Sequence, residues 1–187
     1  MHRLSGVYLF GKPYPMLKKS LLFFLLFAAF RVSADATFRV VPNQAFKRGE
    51  KLTYRIHYGF IDAVMATIEI MPEVKKFQER NTLHVVGIGK SKGTFDFFFK
   101  VRDRYETYID EEALIPWFFV RRVDEGGYKM TQDYTFFHHQ NKVHVGNKVY
   151  KDIWPNTQDM LSGFYLARTM DLSSAKMGQI FSVPTMV

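Results

Sequence analysis

Between Gly49 and Gly59 the chain alternates: Leu52, Tyr54, Ile56 and Tyr58 fall on one side of a two-residue repeat, and Lys51, Thr53, Arg55 and His57 fall on the other. Side chains of a strand point alternately to its two faces, so this stretch predicts a strand with one apolar and one cationic face. Comparable runs punctuated by turn residues predict strands over 37–41, 50–58, 63–71, 81–89, 95–109, 114–123, 128–137 and 142–150, in a meander. Over 95–109, Phe95, Phe97, Phe99, Val101, Tyr105, Thr107 and Ile109 share a face with Asp103, while the other face is largely charged. A sheet oily on one side and wet on the other is antiparallel, and a strand of that length must twist and curl. The "DEGG" of residues 124–127 and the "QNK" of 140–142 supply the hairpin turns.

One stretch breaks the rhythm. In "WPNTQDMLSGFYLART", residues 154–169, Met160, Leu161, Phe164 and Ala167 recur at helical spacing, widened by Tyr165 and Leu166. Pro155 forces extended backbone before it, and Asn156 is placed to cap the amide of Asp159. Gly163 inside a helix costs about 1 kcal/mol against Ala, which points to close packing at that position. A curled sheet needs a cover for its oily concave face, and large side chains buried at about 1.5–3 kcal/mol each dock such a helix firmly. The expected fold is therefore mainly β, α+β: a curved antiparallel sheet or half-barrel wrapped around one helix.

Composition adds the destination of the chain. Starting at Met16, "MLKKSLLFFLLFAAFRVSADA" has the basic, apolar and small-residue regions of a secretory signal, with cleavage expected after Ala34 and Met16 as the true start. Residues 1–34 thus form a leader and residues 35–187 one β-rich domain, exported to the periplasm. The net charge of +8 over 187 residues belongs mostly to that leader. Without its five basic residues the rest carries 21 basic against 18 acidic side chains, net +3, which removes the main argument for nucleic-acid binding. There is no Cys, so disulfides, thiolate metal sites, thiol catalysis and a lipid-modified cysteine are all excluded.

Candidate chemistry is thin. His138, His139 and His144 flank a hairpin turn and lack the spacing of a zinc site, so no metal is expected, and His57 and His84 read as wet-face residues. Glu106 and Asp110 share a strand face but stand about 13 Å apart at strand rise, and Asp110, Glu111 and Glu112 read as a solvated turn. No G-x-S-x-G elbow or S-x-x-K motif occurs, and Gly87, Gly89 and Gly93 lack the spacing of a phosphate loop. No catalytic residue and no cofactor is assigned. Lys100, Arg102, Arg104 and Arg121, with Arg122, form a basic stripe suited to anionic headgroups or an acidic partner.

With these residues in view, the chain resembles the exported bacterial family known as domain of unknown function 3108. The resemblance rests on "FKRGEKLTYRIHYGFIDAVMATIEI" from Phe46 to Ile70, on "KVRDRYETYIDEEALIPWFFVRR" and on "QDMLSGFYLAR", and spans essentially everything after the signal. The chain departs from the family at Val64, where Gly is usual. The resemblance implies periplasmic proteins with no established activity, a sheet-around-helix shape similar to lipoprotein and lipid carriers, and several further strands beyond "GQIFSVPTMV". The function expected is non-catalytic binding or scaffolding, with an apolar ligand such as an acyl chain bordered by Tyr54, Tyr58, Phe97, Phe99, Met160 and Phe164. Peripheral membrane contact and an envelope-protein partner are the expected associations. The rival readings are an envelope hydrolase whose acids converge only in three dimensions and a structural partner of envelope proteins.

Overall fold

The computed structural model of the protein describes residues 38–146 and 148–186, and within them the side chains of residues 58, 61, 62 and 148–150 are left out of account. The expected leader lies outside the described residues. The strands are β1 (Lys51–Tyr58), β2 (Ile61–Ile70), β3 (Lys75–Phe77), β4 (Arg80–Ser91), β5 (Arg102–Asp110), β6 (Pro116–Glu125), β7 (Tyr128–Phe137), β8 (Lys142–Val145) and β9 (Lys148–Asp152). Two helices accompany them, α1 (Gly93–Phe98) and α2 (Met160–Arg168). The strands form one open antiparallel sheet in the order β1-β2-β4-β5-β6-β7-β8-β9, with β3 pairing β4 beside the end of β2. It is a meander not closed into a barrel, with α2 packed on one face.

Registers fix which residues share that inner face. Ile68 pairs with Leu52 and Gly87, Gly87 with Tyr105, Thr107 with Phe119, Phe119 with Tyr134, and Tyr134 with Val145. The core is the inner face of this row: Ile70, Leu83, Val85, Ile109, Phe119, Tyr134, Phe136 and Val143 pack with Leu161, Tyr165 and Leu166 of α2. The apolar side of the β1 alternation does face inward, as its pattern requires, but β1 is an edge strand and Tyr54 and Ile56 stay half exposed.

Three local expectations are corrected, and one strand is additional. Residues 38–41 form no strand; Phe38 instead packs edge-on against Trp117, with ring centroids 5.4 Å apart. The expected long strand 95–109 begins only at Arg102, because β4 ends at Ser91 and anything before Val101 would overrun its neighbours without partners. There the chain turns at Gly93 (φ 55°) into α1, held by Asp96, which accepts from Ser91 Oγ and from Arg102 at 2.7 and 3.0 Å. Gly146 (φ 58°) splits the expected strand 142–150 into β8 and β9, and the three-residue β3 had no alternation to announce it.

The helix also differs in detail. Its cap is Asp159, whose carboxylate accepts from the amides of Leu161 and Ser162 at 2.8 and 2.9 Å while Ser162 Oγ accepts from the Asp159 amide at 2.9 Å. Asn156 lies before the helix in the left-handed region (φ 58°). The buried positions are Leu161, Ser162, Tyr165 and Leu166, while Met160 and Ala167 are exposed and Phe164 is half-buried. The stripe is thus rotated by one residue from the expected one. Close packing does not explain Gly163: a Cβ there would stand 3.6 Å from Gln158 Cβ and Thr185 Oγ1, an ordinary contact.

At the far end of α2, Arg168 donates to both oxygens of Glu50 at 2.6 and 2.9 Å and lies over the Phe46, Phe164 and Tyr165 rings at 5.3–5.6 Å. A cation in the last turn complements the helix dipole, and here it ties that turn to the start of β1. Asp159 is fully buried, and it also accepts from Thr107 Oγ1 at 2.6 Å. Burial outweighs these hydrogen bonds and pushes its carboxyl up to about 6 from 3.8. Between those two values the folded chain holds one more proton than the unfolded chain, so the stability this group gives is complete below pH 3.8 and is lost as pH rises through 6. Denaturant melts at pH 4.5 and 7 should show a loss of about 2 kcal/mol, at about 1.36 kcal/mol per unit over the part of the interval above pH 4.5. Asp159→Asn keeps the cap and should flatten that slope; an equally steep slope in the variant would assign it to another group.

Candidate functional site

The helix covers only part of the inner face. Leu161 sits over Gly87, its Cδ2 3.4 Å from where a Gly87 Cβ would be, and Met160 beside it is exposed. Beyond the helix N-terminus the sheet is bare, and the gap is an open groove of ≈ 350 Å³. Its walls are Ile56, Val64, Ala66 and Ile68 on one side, Val101, Asp103 and Tyr105 on the other, and Met160 and Leu161 at the end. Its floor is Gly87 and Gly89. The space exists because β4 places two glycines in succession on the inner face, where any larger residue would fill it.

One wall is polar. Glu125 lies at the groove with its carboxyl hydrogen-bonded to that of Asp103, and this contact, with burial, raises the Glu125 carboxyl above its ordinary value. Asp103 is buried and also accepts from the Asp124 amide at 3.0 Å. Tyr105 stands beside them; burial and the Asp103 charge push its phenol up, while nearby Arg121 pulls it down. Arg121 Nε is buried without a hydrogen-bond partner among the described residues. The groove is therefore a slot of branched apolar side chains with a carboxyl pair, a phenol and a guanidinium along one edge.

Of the residues singled out in the sequence, Met160 lines this groove. Tyr54 flanks it on the edge strand, opposite Ala66. Phe164 packs on Tyr165 at the margin of the core, Phe97 is exposed on α1, and Phe99 lies against Gly126; these three are not brought to it. Tyr58 has its side chain outside the described set. The basic stripe is divided: Arg104 pairs in register with Arg122 on the outer face, whereas Arg121 pairs with Tyr105 and belongs to the inner one. Arg102 is bound to Asp96, Arg104 to Glu106 at 2.7 Å and Arg122 to Asp133, while Lys100 is exposed.

The remaining titratable groups do structural work. His84 lies 2.7 Å from Glu106 on the outer face and stacks on Tyr108, with centroids 4.4 Å apart. His138 is buried, stacks on Phe136 and donates from Nε2 to the Pro116 carbonyl at 2.7 Å; burial lowers its tendency to protonate. Asp110 is not the solvated turn residue expected but is buried, accepting from Arg80, Trp117 Nε1 and two backbone amides. No group of His, Cys, Asp and Glu among the described residues is arranged to hold a metal ion, and none of their helices is long and apolar enough to cross a membrane. Glu125, Asp103 and Gly89 were not singled out as a site, since their convergence depends on the β5–β6 register that brings Val101 opposite Glu125.

The described residues thus form an open antiparallel meander with one helix packed on its inner face and an amphipathic groove beside that helix. The chain belongs to the family described as "Protein of unknown function (DUF3108)", whose match covers residues 53–186. No curated protein and no solved structure matches it.

Proposed function

We propose that this protein is exported through its N-terminal signal and serves in the periplasm as a non-catalytic binding protein for an apolar or lipid-like ligand. The observation that carries the reading is the groove: an apolar slot on the inner face of the sheet, kept open by Gly87 and Gly89. A ligand with an acyl-like tail along Ile56, Val64, Ala66 and Met160, and a head with hydrogen-bond donors at Asp103 and Glu125, matches both walls. Native mass spectrometry of the purified protein identifies co-purifying ligand, and titration with a fluorescent acyl probe measures affinity. Gly89→Leu is the discriminating variant. Its backbone is compatible with a side chain, and a Cβ there meets only Asp103 Cβ at 3.7 Å, so the leucine extends into the slot without disturbing the sheet. It should weaken probe binding at least about tenfold, a loss of about 1.4 kcal/mol, at unchanged melting temperature. Equal binding by the variant overturns the reading.

One observation favours a second reading, hydrolysis by converging acids: Asp103 and Glu125 share a hydrogen bond at the groove, and the raised Glu125 carboxyl is suited to act as a general acid. Glu125→Gln separates the two, since a hydrolase loses turnover of an ester or glycoside substrate while a carrier keeps its tail affinity.

A further inference from the structure

The groove runs toward one end of the sheet, and the connections gathered there expose several aromatic rings close together. The amide of Lys92 donates to the Ala63 carbonyl at 3.0 Å and that of Gly126 to the Lys100 carbonyl at 2.8 Å, so the β1–β2 turn, α1 and the β6–β7 turn lie at the same end. α1 buries none of its residues. Phe97 and Phe98 are 88% and 81% exposed and pack edge-on against each other at 5.4 Å, and Phe60 in the β1–β2 turn is fully exposed. Phe99 lies half exposed on Gly126, its ring occupying the place of a Cβ there, and the exposed Tyr128 opens β7 directly after that turn. Nothing in the fold uses the outer rings of Phe60, Phe97 and Phe98, so their exposure is a cost the core does not require.

Lys92 and Lys100 are exposed on either side of α1, while the acids at this end are partnered: Asp96 by Arg102, Asp124 by Lys129 at 3.6 Å, and Glu125 by the carboxyl of Asp103. Aromatic side chains at projecting turns, with lysines beside them, suit the headgroup boundary of an anionic bilayer. A second copy fits less well, because a two-fold contact through this face would set the same lysines against one another.

We propose that this end of the sheet is a membrane-docking face, in which Phe97, Phe98 and Phe60 enter the headgroup region of an anionic phospholipid bilayer and Lys92 and Lys100 contact the phosphates. Docked in this way, the protein places the Ile56, Val64, Val101 and Glu125 end of the groove next to the lipid surface. The docking stands apart from occupancy of the groove, and the two are measured separately.

The test is flotation of the purified protein with phosphatidylglycerol–phosphatidylethanolamine vesicles and with phosphatidylcholine vesicles, alongside gel filtration, thermal melts and acyl-probe titration. Wild type should float with the anionic vesicles. The Phe97→Ser/Phe98→Ser double variant should lose affinity by on the order of tenfold or more, from the apolar area withdrawn. Lys92→Glu/Lys100→Glu should lose on the order of tenfold, and salt should suppress binding of the wild type. Both variants should melt like wild type and bind the acyl probe unchanged. Absence of wild-type binding, or equal flotation of the phenylalanine variant, overturns the proposal; so does a wild-type dimer that the phenylalanine variant converts to monomer with vesicle affinity unchanged, which assigns the face to self-association. Loss of probe binding by Gly89→Leu with flotation intact leaves the docking face standing, and flotation failure with probe binding intact leaves the groove standing.

Discussion

Tyr165→Ala should destabilise the protein by about 3–5 kcal/mol, the range for truncating a large aromatic in a closed core. Tyr165 is fully buried in α2, with its ring 4.7 Å from Phe46, 5.3 Å from Phe164 and 5.3 Å beneath the Arg168 guanidinium. Truncation empties the space between the helix and the inner sheet face and removes the ring on which Arg168 rests while it holds Glu50. For a domain of this size such a loss lowers the melting temperature by roughly 6–20 °C. Phe164→Ala should cost less, because Phe164 is only half-buried at the edge of the same cluster. Thermal melts of the two variants decide which residue anchors the helix, and a larger loss for Phe164→Ala would return the stripe to the register read from spacing alone.

That rotation shows where the sequence was legible and where it was not. Met160, Phe164 and Ala167 recur at i, i+4 and i+7, and Leu161 and Tyr165 recur equally well one position on. Periodicity defines a helix with a wide apolar stripe but does not select its centre when two adjacent stripes are both apolar. The deciding residue is polar: Ser162 is buried because it completes the cap with Asp159, and a serine inside an apolar run gives no sign of that from spacing. The sheet was easier to read, because β1, β2, β4, β6 and β7 are short runs rich in apolar and β-branched residues bounded by turn residues. It failed at residues 95–100, where phenylalanine alternation imitates a strand although no neighbouring strand reaches that far.

The groove was legible in part. The inward apolar face of β1 and the position of Met160 followed from alternation and helix spacing. Gly87 and Gly89 were weighed as a phosphate loop and set aside, whereas their consequence is the empty floor between the walls. The polar edge was hidden because Asp103 and Glu125 are 22 positions apart, and only hairpin pairing brings them together. Arg121 and Arg122 are sequence neighbours that the strand sends to opposite faces, so a stripe assembled by adjacency mixed the two sides of the sheet.

Asp110→Ala should match the tyrosine variant in cost, at about 3–5 kcal/mol, by a different route. Asp110 is 1% exposed at the end of β5, and its carboxylate accepts from Arg80 at 2.9 Å, Trp117 Nε1 at 3.1 Å and the amides of Glu112 and Ala113 at 3.0 and 2.8 Å. Burial pushes the carboxyl up, but these hydrogen bonds and the Arg80 charge outweigh it and hold the group below 3.8. The stability it gives is therefore present above pH 3.8 and is lost as pH falls toward its folded value. It also shapes the turn into β6, in which Leu114 is buried at φ 48°, a left-handed conformation that costs a leucine about 1–2 kcal/mol. Removing the carboxylate leaves the indole N–H and two amides without acceptors and takes away the hydrogen bonds that hold the chain in this strained turn. Arg80→Ala should cost less, since the Arg80 side chain is 31% exposed and the other three donors remain to hold Asp110. Urea unfolding at pH 7 and pH 3 separates these effects. The gap between wild type and Asp110→Ala, in which the opposite pH dependence of Asp159 cancels, should narrow at pH 3; a gap of the same size at both pH values would show that packing, not the ionised carboxylate, holds this end of the sheet together.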